Sequence, residues 1–339
     1  MSLLIEQNRS LKPFNTFAVE ACAAHFTEAK DDQAVIEALA EAQRLDMPLW
    51  ILGGGSNLVL TGDVEALVLR MTSRGIRVLE DDGQQVVIEA EAGEPWHPFV
   101  LRSLELGLSG LENLSLIPGT VGAAPIQNVG AYGVEIKDSF AGLTALDRQT
   151  GALVEFDLQA CDFGYRDSLF KRHAGRYVIL RVRFALQRTA VLKLDYGPLR
   201  QWLRQHDIQS PTAMDVSRAV CAIRSEKLPD PNVLGNAGSF FKNPLVPQSS
   251  ADTLRGKYPD LVAFAQERGQ AKLAAGWLIE RAGWKGYRKG DAGVHRHQAL
   301  VLVNYGQATG LQILQLAREI QADILERFGV QLEIEPNVI

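Results

Sequence analysis

Two uncharged, glycine-rich segments contain the residues of this chain that are best suited to bind a diphosphate. Gly53-Gly54-Gly55-Ser56-Asn57 follows a short apolar stretch, and a longer segment spans Ile117–Gly133. Glycine lets main-chain N–H groups approach phosphate oxygens closely, and serine and asparagine side chains add further donors. A tight turn at a strand end explains the first segment equally well, and a packed core loop is the alternative for the second. Neither has the spacing of a Rossmann fingerprint or a P-loop, but two such segments in one chain favour a dinucleotide site.

A third candidate is a hydroxyl group that stands between a glycine and two aromatic residues, in Gly238-Ser239-Phe240-Phe241. In an apolar pocket, with an ammonium group nearby, Ser239 could donate a proton. On spacing alone an ordinary turn serine is the commoner explanation. No GxSxG elbow surrounds Ser239, so an esterase is a weak interpretation.

The remaining charged and imidazole groups give weaker signals. Arg166-Asp167 alone indicates a surface ion pair, and Lys227 stands where a helix should end. His295 and His297 have no carboxylate or thiol at ligand spacing, so we predict solvated side chains and no metal site.

The composition limits the class of protein. Of 339 residues 46% are hydrophobic and 22% are charged, and the net charge is -5. This balance excludes disorder as the main state and argues against nucleic acid as a partner. No apolar run is long enough to span a membrane, and Met1–Glu6 lacks the features of a signal peptide. Three scattered cysteines fit a reducing compartment, so we expect a cytoplasmic enzyme of several domains, and by default a monomer.

Hydrophobic periodicity and turn residues predict the elements that position these candidates. The predicted helices are 32–45, 95–106, 215–226, 272–282 and 311–328. The predicted strands are 49–52, 66–71, 76–79, 86–90, 142–147, 153–157, 176–186, 298–303 and 330–335, with 76–79 and 86–90 joined as a hairpin. The best linker candidate is 205–214. The mixed order favours an α+β fold over a doubly wound sheet.

Taken together, the motifs resemble one family, the UDP-N-acetylenolpyruvoylglucosamine reductases, over nearly the whole chain. The resemblance is carried by the segments Asn15-Thr16-Phe17, Gly53–Asn57, Ile117–Gly133, Tyr165–Ser168, Arg224–Pro231, Gly235–Pro244 and by Glu335. Asp195-Tyr196-Gly197 is similar to the longer of two family types, in which a tyrosine loop folds over the substrate.

The resemblance implies an α+β protein with an FAD-binding fold of the vanillyl-alcohol-oxidase (PCMH-like) type. The implied parts are two FAD-binding lobes, 1–70 and 71–204, a substrate-binding domain, 205–325, and a C-terminal strand, 326–339, that returns to the active site. FAD would be bound noncovalently, with NADPH as co-substrate. The implied reaction reduces UDP-N-acetylglucosamine enolpyruvate to UDP-N-acetylmuramate, a peptidoglycan precursor.

Roles carried over from the family fall on individual residues of this chain. Ser239 is implied to protonate the carbon beside the reduced one, and Arg166 and Glu335 to stabilise the charge that develops there. Tyr196, Lys227 and Asn243 match positions that contact the substrate. The residues implied to contact FAD are Gly53, Gly54, Gly55, Ser56, Asn57, Ser115, Ile117, Pro118, Gly119, Thr120, Gly122, Ala123, Ile126, Asn128, Gly130 and Arg224. In the family, valine and arginine often follow this glutamate, whereas Pro336 and Asn337 follow Glu335 here. Glu333, two residues earlier and on the same side of a strand, is the alternative candidate for the role of Glu335.

Two other functions compete with the flavin reductase. An oxygen-using oxidase of the same superfamily is disfavoured because no histidine or cysteine stands in the glycine-rich segments to attach a flavin covalently. A non-catalytic sensor of a nucleotide sugar would not need Ser239, Arg166 and Glu335 together.

Overall fold

The computed structural model describes residues 3–339. Met1 and Ser2 lie outside the described residues, and with them the start of the stretch in which we expect no signal peptide. The described chain folds into two compact units. Unit 1 contains the chain up to Arg9, Ala23–Gly54 and Glu65–Glu226, and unit 2 contains Ser10–Cys22, Gly55–Val64 and Lys227–Ile339. The four-part division predicted from the sequence stays a prediction.

Helices and strands both occur in large number among residues 3–339. The α-helices are α1 (Asp32–Arg44), α2 (Trp96–Glu105), α3 (Leu158–Cys161), α4 (Leu169–Arg172), α5 (Gly197–Gln205), α6 (Ala213–Lys227), α7 (Gln248–Lys257), α8 (Ala275–Arg281) and α9 (Gly310–Phe328). The strands are β1 (Glu6–Ser10), β2 (Cys22–Ala29), β3 (Leu49–Leu52), β4 (Leu58–Val59), β5 (Val64–Met71), β6 (Ile76–Asp81), β7 (Gln85–Glu91), β8 (Gly130–Ala131), β9 (Val134–Glu135), β10 (Phe140–Asp147), β11 (Leu153–Phe156), β12 (Tyr177–Gln187), β13 (Gly235–Asn236), β14 (Leu245–Pro247), β15 (Ala263–Ala265), β16 (Gln270–Leu273), β17 (Arg288–Lys289), β18 (Ala292–Val294), β19 (Leu302–Asn304) and β20 (Asn337–Val338).

Unit 1 is built around two sheets. One has the order β1-β2-β5-β3, in which β3 and β5 are parallel, and the other is antiparallel with the order β11-β10-β12-β7-β6. From Leu180 to the end of β12 buried and partly buried residues alternate, as expected where one face of a strand lies on the core. Trp96 and Phe99 of α2 pack on Phe184 of β12, with ring centroids 5.8 and 5.3 Å from the Phe184 ring. Helix α2 is thereby fixed on the sheet, directly before the longer glycine-rich segment.

Unit 2 contains two small antiparallel sheets, β13-β19-β18-β17 and β14-β16-β15, and the parallel pair β20-β4. Its long helix α9 begins with a capping box, in which Thr309 accepts from the Gln312 N–H. It ends at Gly329, whose φ of +66° is the left-handed geometry that glycine adopts without strain.

Local signals specify some of the predicted elements well. Helices α1, α2, α6 and α9 and the β6–β7 hairpin lie where the sequence predicts them, with ends shifted by no more than two residues. Three predictions in unit 2 were wrong. The helix predicted at 272–282 is divided, because Lys272 pairs in β16 with Leu245 and Phe264, and only Ala275–Arg281 is helical.

The other two wrong predictions are strands. The one predicted at 298–303 begins only at Leu302, since Gln298 accepts from the Val301 N–H in a turn. The final strand predicted at 330–335 does not form as such, and this stretch contributes one isolated bridge, between Ile334 and Phe241.

Candidate active site

The two glycine-rich segments contact each other in unit 1. A Cβ atom added to Gly54 would lie 2.7 Å from the Cα atom of Gly119, and one added to Gly53 would lie 2.8 Å from the Thr120 Oγ1. A Cβ at Gly122 would lie 2.5 Å from the Ala92 Cβ. A real Cβ atom essentially never lies this close to another atom. At Gly54 the obstacle is the main chain of Gly119 and at Gly122 it is Ala92, so both positions require glycine, whereas at Gly53 the obstacle is the Thr120 hydroxyl, which can turn away.

The same place offers main-chain donors that the protein does not use. The N–H groups of Gly54, Gly119 and Thr120 donate no hydrogen bond to any of residues 3–339. The next two N–H groups are paired, Val121 with the Glu94 carbonyl and Gly122 with the Ala92 carbonyl, each at 2.9 Å. Adjacent unpaired main-chain N–H groups fit a diphosphate, so the residues present suit a dinucleotide such as FAD.

The first segment continues from unit 1 into unit 2. Gly55 has a φ of +64°, and an added Cβ would lie 1.8 Å from the Phe14 carbonyl oxygen, so only glycine fits there. Ser56 and Asn57 are partly buried, and the Asn57 carbonyl accepts from the Asn337 N–H at 2.9 Å.

Arg224 is anchored against the longer segment. Its Nε donates to the Leu116 carbonyl at 3.2 Å, and burial lowers the pKa of its guanidinium. Burial raises the pKa of the nearby Tyr132 hydroxyl to about 12, and the charge of Arg224 opposes this rise. The buried Ser115, one residue before Leu116, shares a hydrogen bond of 2.8 Å with Ser217 on the same helix as Arg224.

Arg166 occupies a tight turn with a left-handed backbone, φ +54°. Its Nη2 donates to the Gly130 carbonyl at 2.6 Å, and its Nη1 lies 3.8 Å from an oxygen of Glu135. The side chain is 18% exposed. A residue other than glycine rarely holds this conformation, and such strain concentrates at functional sites.

Two side chains hold the Arg166 turn against the glycine-rich segment. Asn128 is fully buried with φ +48°, and its Nδ2 donates to Glu135 at 2.9 Å and to the Gly164 carbonyl at 3.0 Å. Ser168 donates to the Ile126 carbonyl at 2.7 Å. The side chain of Asn128 is thus used within the protein, and its main-chain N–H donates to the Pro125 carbonyl at 3.4 Å.

Tyr196 stands at the start of α5 and is 42% exposed. Its ring meets that of Tyr132 edge to face, with centroids 5.0 Å apart. The buried Asn113 donates both to the Tyr132 carbonyl, at 3.0 Å, and to the Lys193 carbonyl, at 2.9 Å. The segment before Tyr196 is therefore attached to the glycine-rich segment.

In unit 2, Ser239 is exposed and follows β13. The two aromatic residues after it are buried, and the Phe240 N–H donates to the Leu300 carbonyl at 2.7 Å. The Ser239 hydroxyl forms no hydrogen bond with any of residues 3–339. The main chain is fixed and the hydroxyl remains available.

The two rival carboxylates differ in what they contact. The Glu335 N–H donates to the Phe240 carbonyl at 2.9 Å, which places this glutamate beside the residue that follows Ser239. Glu333 is exposed and forms an ion pair with Lys242. Glu335 therefore stays the better candidate for a role near Ser239.

Lys227 and Asn243 lie at helix ends in unit 2. Lys227 is the exposed last residue of α6. Asn243 Oδ1 accepts from the Ala275 N–H at 3.0 Å, at the start of α8. Its Nδ2 donates no hydrogen bond to the described residues, so a ligand can use it.

Some supporting residues were missed from the sequence. One of them is Ser217, seven residues before the predicted site residue Arg224 on α6, a spacing that puts both on one helix face and could have indicated a shared contact. His97 and Asn113 gave no signal, because their partners are distant in sequence. His295 and His297 lie after β18, not within a strand, with ring centroids 5.7 Å apart. Across residues 3–339 no group of three or more potential ligands could hold a metal ion, and none of the helices there could cross a membrane.

Comparisons with known proteins cover the chain from end to end. The family model of the UDP-N-acetylenolpyruvoylglucosamine reductase C-terminal domain matches residues 230–339, and an FAD binding domain model matches residues 23–157. The UDP-N-acetylenolpyruvoylglucosamine reductase of Pseudomonas fluorescens (strain Pf0-1) is 68% identical over 99% of both chains. That of Chromobacterium violaceum is 51% identical over 100% of both chains.

The fold agrees with a solved structure. The UDP-N-acetylenolpyruvylglucosamine reductase of Thermus caldophilus superposes with a TM-score of 0.67 at 24% identity, covering 99% of this chain and 98% of that one. The expected α+β fold, with an FAD binding domain followed by the C-terminal domain of this family, is confirmed. The chain therefore belongs to the UDP-N-acetylenolpyruvoylglucosamine reductase family.

Proposed function

We propose that this chain is an FAD-dependent reductase that converts UDP-N-acetylglucosamine enolpyruvate to UDP-N-acetylmuramate at the expense of NADPH, in the synthesis of peptidoglycan precursors. Family membership over the full length supports the activity. The observation in the structure that best supports it is the left-handed Arg166 turn, which hydrogen bonds with Asn128 and Gly130 fix against the longer glycine-rich segment.

The FAD diphosphate is assigned to the main-chain donors of Gly54, Gly119 and Thr120, and the flavin is held noncovalently. When bound there, FAD would supply hydride transfer from NADPH to the methylene carbon of the enolpyruvyl group. Uncharged main-chain donors suit this cofactor because they stabilise phosphate charge without adding a titrating group to the site. The other residues implied to contact FAD are part of the same proposal.

Arg166 and Glu335 are proposed to stabilise the negative charge that arises when hydride adds to the methylene carbon. That charge spreads over the neighbouring carbon and its carboxylate, and a fixed cation or a hydrogen-bond donor lowers the barrier to forming it. Arg166 is held by the Gly130 carbonyl before any substrate arrives, so it is preorganised for this task. Glu335 would act in its protonated form.

Ser239 is proposed to give its proton to the carbon next to the carboxylate, which completes the reduction. Its hydroxyl is weakly acidic but sufficient for an enolate-like base from which water is excluded. The absence of any protein partner for this hydroxyl among residues 3–339 is consistent with the role.

The nucleotide part of the substrate is assigned to Tyr196, Lys227 and Asn243. A phenol, an ammonium and an amide donor can each bond to a diphosphate or a sugar hydroxyl. The exposed positions of Tyr196 and Lys227 leave both side chains able to reach a ligand. A cytoplasmic monomer without nucleic-acid or membrane partners remains part of the proposal.

An anaerobic redox titration tests this function. The purified protein should be yellow, NADPH should bleach the flavin absorption, and the enolpyruvyl sugar nucleotide should restore it within a turnover. Oxygen should restore the colour far more slowly. A colourless protein that cannot be reconstituted with FAD, or rapid reoxidation by oxygen alone, would reject the reductase in favour of a sensor or an oxidase.

A further inference from the structure

The peptide groups around Leu116 are held from two sides in unit 1. The Leu116 N–H donates to Nδ1 of His97, in the first turn of α2, at 3.0 Å. Its carbonyl accepts from Nε of Arg224, on α6, at 3.2 Å. Two side chains from different helices thus fix both polar groups of one residue.

Leu116 needs this support because its backbone is left-handed, with φ +58°. A leucine in that conformation costs roughly 1–2 kcal/mol relative to the right-handed one, so the surroundings must impose it. The flanking carbonyls are fixed as well, that of Leu114 by the Trp96 Nε1 at 2.9 Å and that of Gly119 by the Trp96 N–H at 3.0 Å. The geometry of Leu116 therefore sets where the following residues, Ile117–Thr120, begin.

The bond to His97 depends on the protonation of the imidazole. Nδ1 can accept the Leu116 N–H only while it carries no proton, whereas in the imidazolium both ring nitrogens are donors. Two N–H groups would then face each other at hydrogen-bond distance.

The groups around His97 also oppose a second positive charge. Arg224 faces it from α6 and disfavours the imidazolium. Cys221 on the same helix and Tyr132 on the glycine-rich segment both act on Arg224, and burial raises the pKa of each, so they stay neutral. Glu94, just before α2, is occupied by the Gly75 N–H at 2.7 Å.

We propose that His97 is a positioning residue for the FAD site, which together with Arg224 fixes the left-handed Leu116, and that protonation of His97 releases this segment and weakens FAD binding in acid. The proposal rests on the assignment of FAD to the segment 115–122. His97 itself is not proposed to touch the cofactor or the substrate.

The direction of the pH effect follows from linkage. Burial, and then the charge of Arg224, lower the pKa of His97 below its usual value of about 6.5. The state with less order at Leu116 then binds the proton more readily than the ordered state. The ordered state is fully favoured above about pH 6.5 and loses stability as the pH falls from there through the lowered pKa.

FAD affinity of the reconstituted full chain, measured by quenching of flavin fluorescence, tests the proposal with two variants. His97→Asn places Oδ1 where Nδ1 stood, so it can accept the Leu116 N–H but cannot titrate. His97→Leu has a similar size and no acceptor. His206, which is exposed on unit 1, gives the matched control His206→Asn.

We expect the wild-type and His206→Asn proteins to lose about three- to tenfold in FAD affinity between about pH 8 and pH 5.5, the range that one hydrogen bond represents. At pH 8 the FAD affinity of His97→Asn should differ from that of wild type by no more than this three- to tenfold range. Its affinity should not fall between pH 8 and pH 5.5. His97→Leu should be weak at both pH values. Equal pH dependence in wild type and His97→Asn, or unchanged affinity in His97→Leu, would overturn the proposal.

Amide hydrogen exchange in the FAD-free full chain separates this proposal from the assigned function. After correction for the intrinsic pH effect, the peptide that contains Leu116 should lose protection in acid in wild type and keep it in His97→Asn. This result is expected whether or not FAD binds. Protection that is independent of pH in wild type would contradict the role of His97, and a failure of FAD to bind at all would contradict the proposed function alone. If His97→Leu does not fold, the comparison of wild type with His97→Asn still decides.

Discussion

Replacing Asn128 should destabilise the protein and displace Arg166. Asn128 is fully buried, and its side chain forms hydrogen bonds with Glu135 at 2.9 Å, the Gly164 carbonyl at 3.0 Å and the Lys137 N–H at 3.3 Å. A neutral hydrogen bond contributes about 1 kcal/mol and one to a charged group about 1.5–3 kcal/mol. Asn128→Gly, which keeps the left-handed backbone without strain, loses two neutral bonds and one charged bond and should therefore lower the free energy of unfolding by about 3.5–5 kcal/mol.

Asn128→Ala adds a backbone term to the same loss. In the folded state, an alanine held in the left-handed conformation costs about 1–2 kcal/mol. In the unfolded state, alanine has less conformational entropy than glycine, which favours folding of the alanine variant by about 0.5–1 kcal/mol. The net difference predicts that Asn128→Ala is roughly 0.5–1 kcal/mol less stable than Asn128→Gly. Asn8 is the matched control, since it has a φ of +50° but is exposed. Asn8→Ala should therefore lower the free energy of unfolding only by the cost of the left-handed backbone.

Urea unfolding followed by far-UV circular dichroism measures these differences. In the same variants, the rate of flavin reoxidation by the enolpyruvyl substrate should fall roughly 10- to 100-fold, because the turn at Gly164 no longer holds Arg166 in place. Equal losses of stability at Asn128 and Asn8 would show that the buried hydrogen bonds contribute nothing. Normal reoxidation in a destabilised Asn128→Gly protein would show that the network does not position Arg166.

Three further predictions follow from the site. Tyr196→Phe should weaken substrate binding by about 1–3 kcal/mol with little change in turnover at saturation, and a collapse of turnover with unchanged affinity would contradict its assignment to the diphosphate. Gly54→Ala should lower FAD affinity at least tenfold because its Cβ would lie 2.7 Å from the Gly119 Cα, whereas Gly62→Ala, with no atom within 4 Å, should bind FAD as wild type does. Acid or heat precipitation should release all yellow colour into solution, and flavin that stays with the pellet would mean covalent attachment.

The elements predicted correctly are those whose signals are local. Helix α1 has Asp31 as its cap and Val35 and Ala42 on its buried face, and these signals lie within one short window. The β6–β7 hairpin follows from Asp82-Gly83, where the Asp82 carboxylate accepts from two later N–H groups and Gly83 has φ +85°. In such cases the chain neighbours supply the stabilising contacts.

The predictions failed where pairing over distance decides the structure. Lys272 belongs to an apolar pattern that suits a helix, but the partners of β16 are Leu245 and Phe264, and their pairing outweighs the local preference. Short strands of this kind have no periodicity of their own. The stretch 330–335 has strand-like alternation but only one bridging partner, Phe241.

The candidate site was predictable in its residue types but not in its geometry. The motif residues were identified by resemblance, and the two glycine-rich segments also by chemistry. The left-handed backbones of Leu116, Asn128 and Arg166 were not, because nothing in a leucine or an arginine indicates such a conformation. The fixing hydrogen bonds join residues such as Asn128 and Gly164, which are 36 positions apart in the chain.

The two half-reactions of Ser239→Ala, measured by anaerobic stopped-flow absorbance, test the central claim most directly. Flavin reduction by NADPH requires no proton from Ser239 and should stay close to the wild-type rate. Reoxidation by the enolpyruvyl substrate should fall about 10²–10⁴-fold, or roughly 3–5 kcal/mol of barrier, and Ser239→Cys should recover part of it. Equal slowing of both half-reactions would mean that Ser239 positions the flavin, and reoxidation at the wild-type rate in Ser239→Ala would remove Ser239 from the reaction.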